Sequence, residues 1–259
     1  MAAPTPHLEP TRDVLVRVED VEQFYHGRIR ILGPLCLEIR ENEFLSIVGP
    51  SGSGKSTLLR MIAGVLVPTR GTIWLGPKRL HGVNRGAAMV FQSFALFPWL
   101  TVLDNVGIGL EAQGQGPRER AAKAEKYIEL VGLRGYERAY PKELSRGMKQ
   151  LVGVARALAV EPELLCMDEP FSALDVLTAR TLRELVLELW ANPEVMTKSI
   201  LLVTHSVEEA VTLSDRVVVL KANPGRVADT LDLHHLARPR RADAPAVRET
   251  VDRIYGLLA

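Results

Sequence analysis

Three runs along the chain, residues 44–48, 164–167 and 200–203, are almost unbroken in apolar side chains. Runs of this length predict strands covered on both faces, as in a parallel sheet. Each stops abruptly at a polar cluster: Gly49 onward, Asp168-Glu169, and Thr204-His205. Ligands of open parallel sheets sit beyond the carboxyl ends of the strands, so three such ends predict one shared site.

Other stretches alternate instead. Residues 14–18 and 35–39 read as strands with one covered face, and residues 72–75 as a third that ends at Gly76-Pro77. Together they predict an antiparallel sheet. Helical spacing covers 117–131 and 146–160, the second reinforced by Ala155, Ala157, Leu158 and Ala159. Ser206 with Glu209 reads as a capping box for a helix running to about Leu213. A strand at 217–220 and a turn at Asn223-Pro224-Gly225 follow. Residues 238–245 read as a polar linker. Val247, Val251, Ile254 and Leu258 then recur at the spacing of a short amphipathic helix. Residues 1–11, with three prolines, read as a disordered leader, and no internal repeat stands out.

Composition narrows the class. The 259 residues are 47% hydrophobic and 24% charged, ordinary values for a globular protein. A net charge of +1 gives no broad footprint for nucleic acid. Cys36 and Cys166 each lie in an apolar run, which predicts packed, reduced thiols and a cytosolic setting. No stretch approaches the roughly 18–20 apolar residues of a membrane span, and the N-terminus has no signal-like apolar core.

Candidate chemistry begins after the first apolar run. Gly49-Pro50-Ser51-Gly52-Ser53-Gly54-Lys55-Ser56 matches G-x-x-x-x-G-K-[ST], with a strand before it and helical spacing at Leu58, Leu59 and Met61 after it. Backbone N–H groups of such a loop close around phosphate oxygens, and the helix N-terminus adds its positive end. Lys55 is expected to neutralise the β- and γ-phosphates and the Ser56 hydroxyl to coordinate Mg²⁺. A pair of acids after a strand is by itself most often a solvated strand end. With a phosphate loop in the same sheet, Asp168 is expected to hold the Mg²⁺ water shell and Glu169 to polarise the attacking water. His205, at the end of another strand of that sheet, is expected to bond the γ-phosphate.

The order of motifs over residues 14–230 resembles the nucleotide-binding subunits of ABC transporters. The phosphate loop, extended to Thr57, is followed by Gln92, similar to the family's Q-loop glutamine. Leu144-Ser145-Arg146-Gly147-Met148-Lys149-Gln150 is similar to its signature motif. After Asp168-Glu169-Pro170 comes Ser172-Ala173-Leu174-Asp175, which looks like the D-loop, and then His205 as the switch histidine. Tyr25 lies where the adenine-stacking aromatic is expected, although Phe24 is an alternative. The resemblance implies an α/β P-loop NTPase of ABC type. It would have a mixed parallel core sheet, an N-terminal antiparallel β subdomain, and a helical subdomain at about 93–160 carrying the signature. The ATPase domain is expected over 12–236, with a linker and C-terminal amphipathic helix over 237–259.

The resemblance also implies ATP and Mg²⁺ as ligands, with Ser56, Gln92 and Asp168 on the metal. A second ATPase subunit, identical or paralogous, is implied to bring Ser145 and Gly147 to the γ-phosphate in trans, with Asp175 nearby. A transmembrane permease is implied to dock near residues 94–100, where Phe91, Phe94, Phe97 and Trp99 make a dense apolar cluster. A solute-binding protein would act indirectly, and nucleic acid is not expected. The subunit is thereby expected on the cytoplasmic face of the inner membrane. Details of the same segments look like the nitrate, sulfonate and taurine branch of importers.

Two positions depart from the family pattern. Arg146 replaces the first signature glycine, and Leu151 stands where arginine is common. An arginine there either matches phosphate oxygens or crowds them. Two competing classes, a weakly hydrolysing regulatory subunit and a soluble ABC-type ATPase unlinked to transport, fit the intact Lys55, Asp168, Glu169 and His205 and the near-neutral charge less well.

Overall fold

The computed structural model describes residues 14–258. In chain order it contains β1 (Val14–Tyr25), β2 (Ile29–Arg40), β3 (Phe44–Val48), α1 (Lys55–Ile62), β4 (Arg70–Leu75), β5 (Lys78–Arg79) and β6 (Ala87–Val90). Next come α2 (Val102–Ala112), α3 (Pro117–Leu130), α4 (Arg146–Ala159), β7 (Leu164–Asp168), α5 (Val176–Ala191) and β8 (Ser199–Thr204). The order ends with α6 (Val207–Leu213), β9 (Arg216–Lys221), β10 (Arg226–Asp232) and α7 (Pro245–Leu258). The expected leader at 1–11 lies outside the described residues. The chain divides into two compact units, one made of the residues before Arg85 with those from Leu201 on, the other of residues 85–200.

In the first unit β2-β1-β4-β5 form an antiparallel sheet. The two strands expected at 14–18 and 35–39 lie at one end of a much longer ribbon whose register shifts repeatedly, between Val14 and Val16 and again between Val18 and Val21 among others. Beside it, β10-β9-β3-β8 are successive neighbours, with β3 parallel to β9 and β10 antiparallel to it. Every side chain of β3 and of β8 is buried, as their unbroken apolar character requires. α6 and α7 complete a core around Val48, Val211, Val219, Leu233, Val247 and Ile254. Burying a residue such as Val247 or Ile254 contributes about 1.5–3 kcal/mol, enough to dock a helix with a single apolar stripe.

The segment read as a polar linker is held in place by hydrogen bonds from two of its arginines. Arg238 Nη2 donates to Leu213 O at 2.8 Å and to Asp215 Oδ1 at 2.7 Å. Arg240 donates to Val211 O at 3.0 Å, to Leu233 O at 2.7 Å and to Ser214 O. Two guanidinium groups thus take up carbonyls at the C-terminal end of α6, where a helix is electronegative.

In the second unit β6 and β7 pair in parallel. Its helices are α2, α3, α4 and α5, and Val106, Leu110, Tyr127 and Ile128 of the first two are fully buried. Pro117 opens α3 at a position where its missing N–H costs nothing. Ser145 caps α4 by accepting from Met148 N. Both cysteines are free thiols, Cys166 buried in β7 and Cys36 half-buried.

Candidate functional site

β3 delivers Gly49 at the mouth of the phosphate loop, and α1 starts at Lys55. Gly54 is the N-cap of α1, with φ at 87° and no side-chain cap, so the first N–H groups of the helix are not claimed by a capping side chain. Only glycine adopts that left-handed conformation without cost. Ser53 N donates to Pro50 O at 3.2 Å, closing the turn. Lys55 is buried and its Nζ folds back over the loop, 2.8 Å from Gly49 O and 3.1 Å from Pro50 O. Ser53 Oγ is buried with no hydrogen-bond partner. An uncapped helix start, an orphan hydroxyl and a lysine on one loop are what a phosphate group would satisfy. Ser51 and Gly52 are exposed, and Ser56 and Thr57 are half-buried in the first turn of α1.

A buttress behind the loop escaped the sequence reading. Gly225 N donates to Ile31 O and Gly33 N to Gly225 O, both at 2.8 Å. A Cβ on Gly225 would stand 2.1 Å from Ser53 O, so the turn at Asn223-Pro224-Gly225 is also the wall on which the loop rests.

Tyr25 and Phe24 differ sharply. Phe24 lies under Arg30 and Arg70, whose guanidinium carbons stand 5.4 and 5.6 Å from its ring centroid, and both arginines pair with Glu22. Tyr25 is 58% exposed, and its ring meets that of His26 in an edge contact, ring centroids 4.2 Å apart. His205, also in the first unit, is exposed at the end of β8.

In the second unit Gln92, Glu169 and Ser172 come together. Gln92 Nε2 is 3.4 Å from Glu169 Oε2 and 3.1 Å from Ser172 Oγ, and Ser172 Oγ donates to Glu169 O at 2.9 Å. Glu169 sits at φ 47°, a left-handed conformation that non-glycine residues rarely occupy. Asp168 closes β7 and is 7% exposed. Asp175 caps α5, accepting from Thr178 N at 3.1 Å and from Thr178 Oγ1 at 2.6 Å, and these hydrogen bonds hold its carboxyl below the usual range. Ser145 is spent on capping α4, and Gly147 is half-buried in its first turn. Arg146 is the first helical residue and exposed, while a Cβ on Gly147 would stand 2.3 Å from Thr178 Cγ2, so the turn has no room for a larger residue there.

The apolar segment after Gln92 is held from beneath. Asn105, fully buried, takes Phe97 N on its oxygen at 2.8 Å and donates to Phe97 O, Leu100 O and Thr101 O. Arg156 donates to Phe94 O at 3.1 Å and Ala95 O at 2.6 Å, where the backbone turns left-handed at φ 63° and 48°. Trp99 is left 70% exposed and Phe91 37%. Neither Asn105 nor Arg156 was singled out by the sequence reading. An asparagine inside an apolar helix is the one signal that pointed to the first.

The model of the family described as ABC transporter matches residues 32–172. The chain belongs to that family. An uncharacterized ABC transporter ATP-binding protein of Methanocaldococcus jannaschii is 47% identical over 248 residues, covering 95% of this chain and 91% of the relative. The nitrate import ATP-binding protein of Synechocystis sp. is 46% identical over 80% of this chain and 77% of its own. A taurine import ATP-binding protein of Pseudomonas aeruginosa is 43% identical over 82% and 79%.

A dimeric ATP-binding cassette solved in a post-hydrolysis state with ADP and Pi superposes with a TM-score of 0.74 at 31% identity, covering 85% of this chain and 99% of that one. The cbiO1 protein of Clostridium perfringens, part of the ABC transporter complex cbiONQ, shares the fold with a TM-score of 0.78 at 24% identity over 95% of this chain and 97% of that one. This ABC subunit therefore has the cassette fold and is an ATP-binding, ATP-hydrolysing enzyme. No described helix is long and apolar enough to cross a membrane.

Proposed function

We propose that this ABC subunit powers an importer of nitrate, sulfonate, taurine or a related small solute, working as a dimer on the cytoplasmic face of a membrane permease. The observation that carries the reading is the pairing of a phosphate-shaped loop at Gly49–Thr57 with import ATP-binding relatives that match four-fifths of the chain.

Gly49 through Thr57 bind the triphosphate, with backbone N–H groups and Lys55 Nζ exchanging their contacts within the loop for phosphate oxygens. Tyr25 offers its free face to the base. Among the described residues no cluster of three His, Cys, Asp or Glu side chains could cage a metal. That fits Mg²⁺ carried in on the nucleotide, needing few protein oxygens. Ser56, Gln92 and Asp168 are the residues that would hold it, and it supplies neutralisation of the phosphate charge. Glu169 takes the proton of the attacking water, and His205 steadies the γ-phosphate through its ring N–H.

Ser145 and Gly147 serve the nucleotide bound by the partner copy. Val176 and Leu177, 81% and 76% exposed just after Asp175, supply apolar surface for that dimer. The exposed Trp99 and Phe91 face the permease, and a solute-binding protein acts on that permease from the other side.

Purification of the tagged chain from detergent-solubilised membranes, followed by mass spectrometry and an ATPase assay, tests the reading. A multi-span permease is expected to co-purify with ATP-hydrolysing activity. Recovery of the chain free of any permease, with its hydrolysis intact, would leave an ATPase without a transport role.

A further inference from the structure

The turn that presents His205 is closed by a ring of three hydrogen bonds among Thr204, Ser206 and Glu209. Thr204 Oγ1 donates to Glu209 Oε2 at 2.6 Å. Ser206 N donates to Thr204 Oγ1 at 3.1 Å. Glu209 N donates to Ser206 Oγ at 3.2 Å. Both chain neighbours of His205 are therefore tied to Glu209, Thr204 through the carboxylate and Ser206 through the backbone.

This is not the capping box that Ser206 and Glu209 led us to expect. In that motif the glutamate side chain returns to the N–H of the cap residue itself. Here the carboxylate takes a hydroxyl instead, and that hydroxyl passes the bond on to Ser206 N. The difference matters for His205. A capping box fixes only the residue after the histidine, whereas this ring clamps the residues before and after it. At 2.6 Å the bond from Thr204 to the carboxylate is of the short, charge-assisted kind. Thr204 is 1% exposed, so water does not compete freely for its hydroxyl. The imidazole itself stands exposed.

We propose that Glu209 is a positioning residue for His205: its carboxylate, acting through Thr204 and Ser206, sets the backbone from which the imidazole reaches the γ-phosphate. The proposal rests on the reading of His205 as a γ-phosphate contact. The Glu209 carboxylate is bonded to Thr204 and its N–H to Ser206. Its effect falls on the chemical step, because a misplaced transition-state contact costs turnover while nucleotide binding rests on the phosphate loop.

Single-turnover ATP hydrolysis and binding of a non-hydrolysable ATP analogue, both on the full chain, provide the test. Glu209→Ala is expected to lower the rate by about ten-fold or more, as displaced catalytic groups do, with analogue affinity unchanged. Glu209→Gln keeps an oxygen able to accept from Thr204 and is expected to recover most of the loss. Both variants remove the same charge from the first turn of α6, so any loss of thermal stability from the helix dipole is common to them. The acceptor alone separates the two. Thr204→Val is expected to match Glu209→Ala, and Thr204→Ser to match the parent chain. In a His205→Ala background, Glu209→Ala is expected to have no further effect. Equal losses in Glu209→Ala and Glu209→Gln, or an undiminished loss in the His205→Ala background, would overturn the proposal. Unimpaired hydrolysis by His205→Ala alone would sink the reading of the histidine and take the proposal with it.

Discussion

Gln92 and Glu169 are hydrogen-bonded, Nε2 to Oε2 at 3.4 Å, and Ser172 bridges the pair through its hydroxyl. The glutamine amide thus donates to the acid that stands one residue beyond Asp168.

Glu169→Gln keeps the shape of this contact and removes the base. Turnover is expected to fall by about two orders of magnitude or more, the usual scale of general base catalysis. Nucleotide affinity is expected to stay, because the phosphate loop is untouched. Hydrolysis assays and nucleotide titration read the two quantities separately. A variant that no longer binds ATP would assign Glu169 to binding instead.

The choice between the two aromatics at the end of β1 yields a second prediction. Tyr25→Ala is expected to weaken nucleotide binding about ten-fold, since stacking on one base is worth roughly 1–3 kcal/mol. Phe24→Ala removes a ring already occupied by Arg30 and Arg70. It is expected to lower thermal stability and leave affinity alone. The reverse pattern would move the base-stacking role to Phe24.

How much of this was legible beforehand depended on the length and cleanness of the apolar pattern. β3, β7 and β8 are buried along their whole length, and their unbroken character gave them away. α2 was missed because Gly107 and Gly109 argue against a helix, each costing about 1 kcal/mol relative to alanine. Packing explains one of them: a Cβ on Gly109 would stand 2.5 Å from Val160 Cγ1. α5 was missed although Ala179, Leu182, Val186 and Leu189 recur at helical spacing behind the Asp175 cap. There the motif at 172–175 drew the reading away from the pattern that follows it. β10 alternates weakly and is largely exposed, so only its pairing with β9 defines it. Among the site residues, motif positions were readable one by one. Most supports were not, because Arg156, Asn105 and Gly225 act through contacts that sequence spacing does not encode, while the spacing of Glu209 to Ser206 showed the helix cap but not the bond from Thr204.

The two thiols are expected to behave differently with pH. Burial, and then the negative charge of Asp168, push the Cys166 thiol up to about 12. Cys36 is raised as well, by burial, with an N–H from Asp20 acting against the shift. At pH 8 a thiol reagent is expected to label Cys36 slowly and Cys166 only after unfolding. In the unfolded chain both thiols ionise near pH 8.5–9. The folded form keeps the Cys166 proton, so its contribution is complete below that range and is lost as pH rises from about 9 towards 12. Denaturant midpoints at pH 8 and pH 10 are therefore expected to differ more for the parent chain than for Cys166→Ala. Equal differences in the two proteins would mean that the thiol does not stay protonated.

Arg156 holds the apolar segment by its carbonyls, and removing it separates order from chemistry. Its guanidinium is largely buried, and it supplies two donors to the left-handed pair Phe94 and Ala95. Hydrogen bonds from a charged donor contribute about 1.5–3 kcal/mol, and alanine replaces neither of them. In Arg156→Ala, amide exchange over residues 94–100 is expected to accelerate, while Asn105 keeps its hold on Phe97. Arg156→Lys, able to serve one carbonyl at a time, is expected to fall between. Because no phosphate contact depends on this arginine, ATP affinity is expected to stay at the parent value. Exchange mass spectrometry over the segment, with nucleotide titration in parallel, reads both. Unchanged exchange would show that Asn105 alone orders the segment, and a fall in ATP affinity would tie Arg156 to the nucleotide instead.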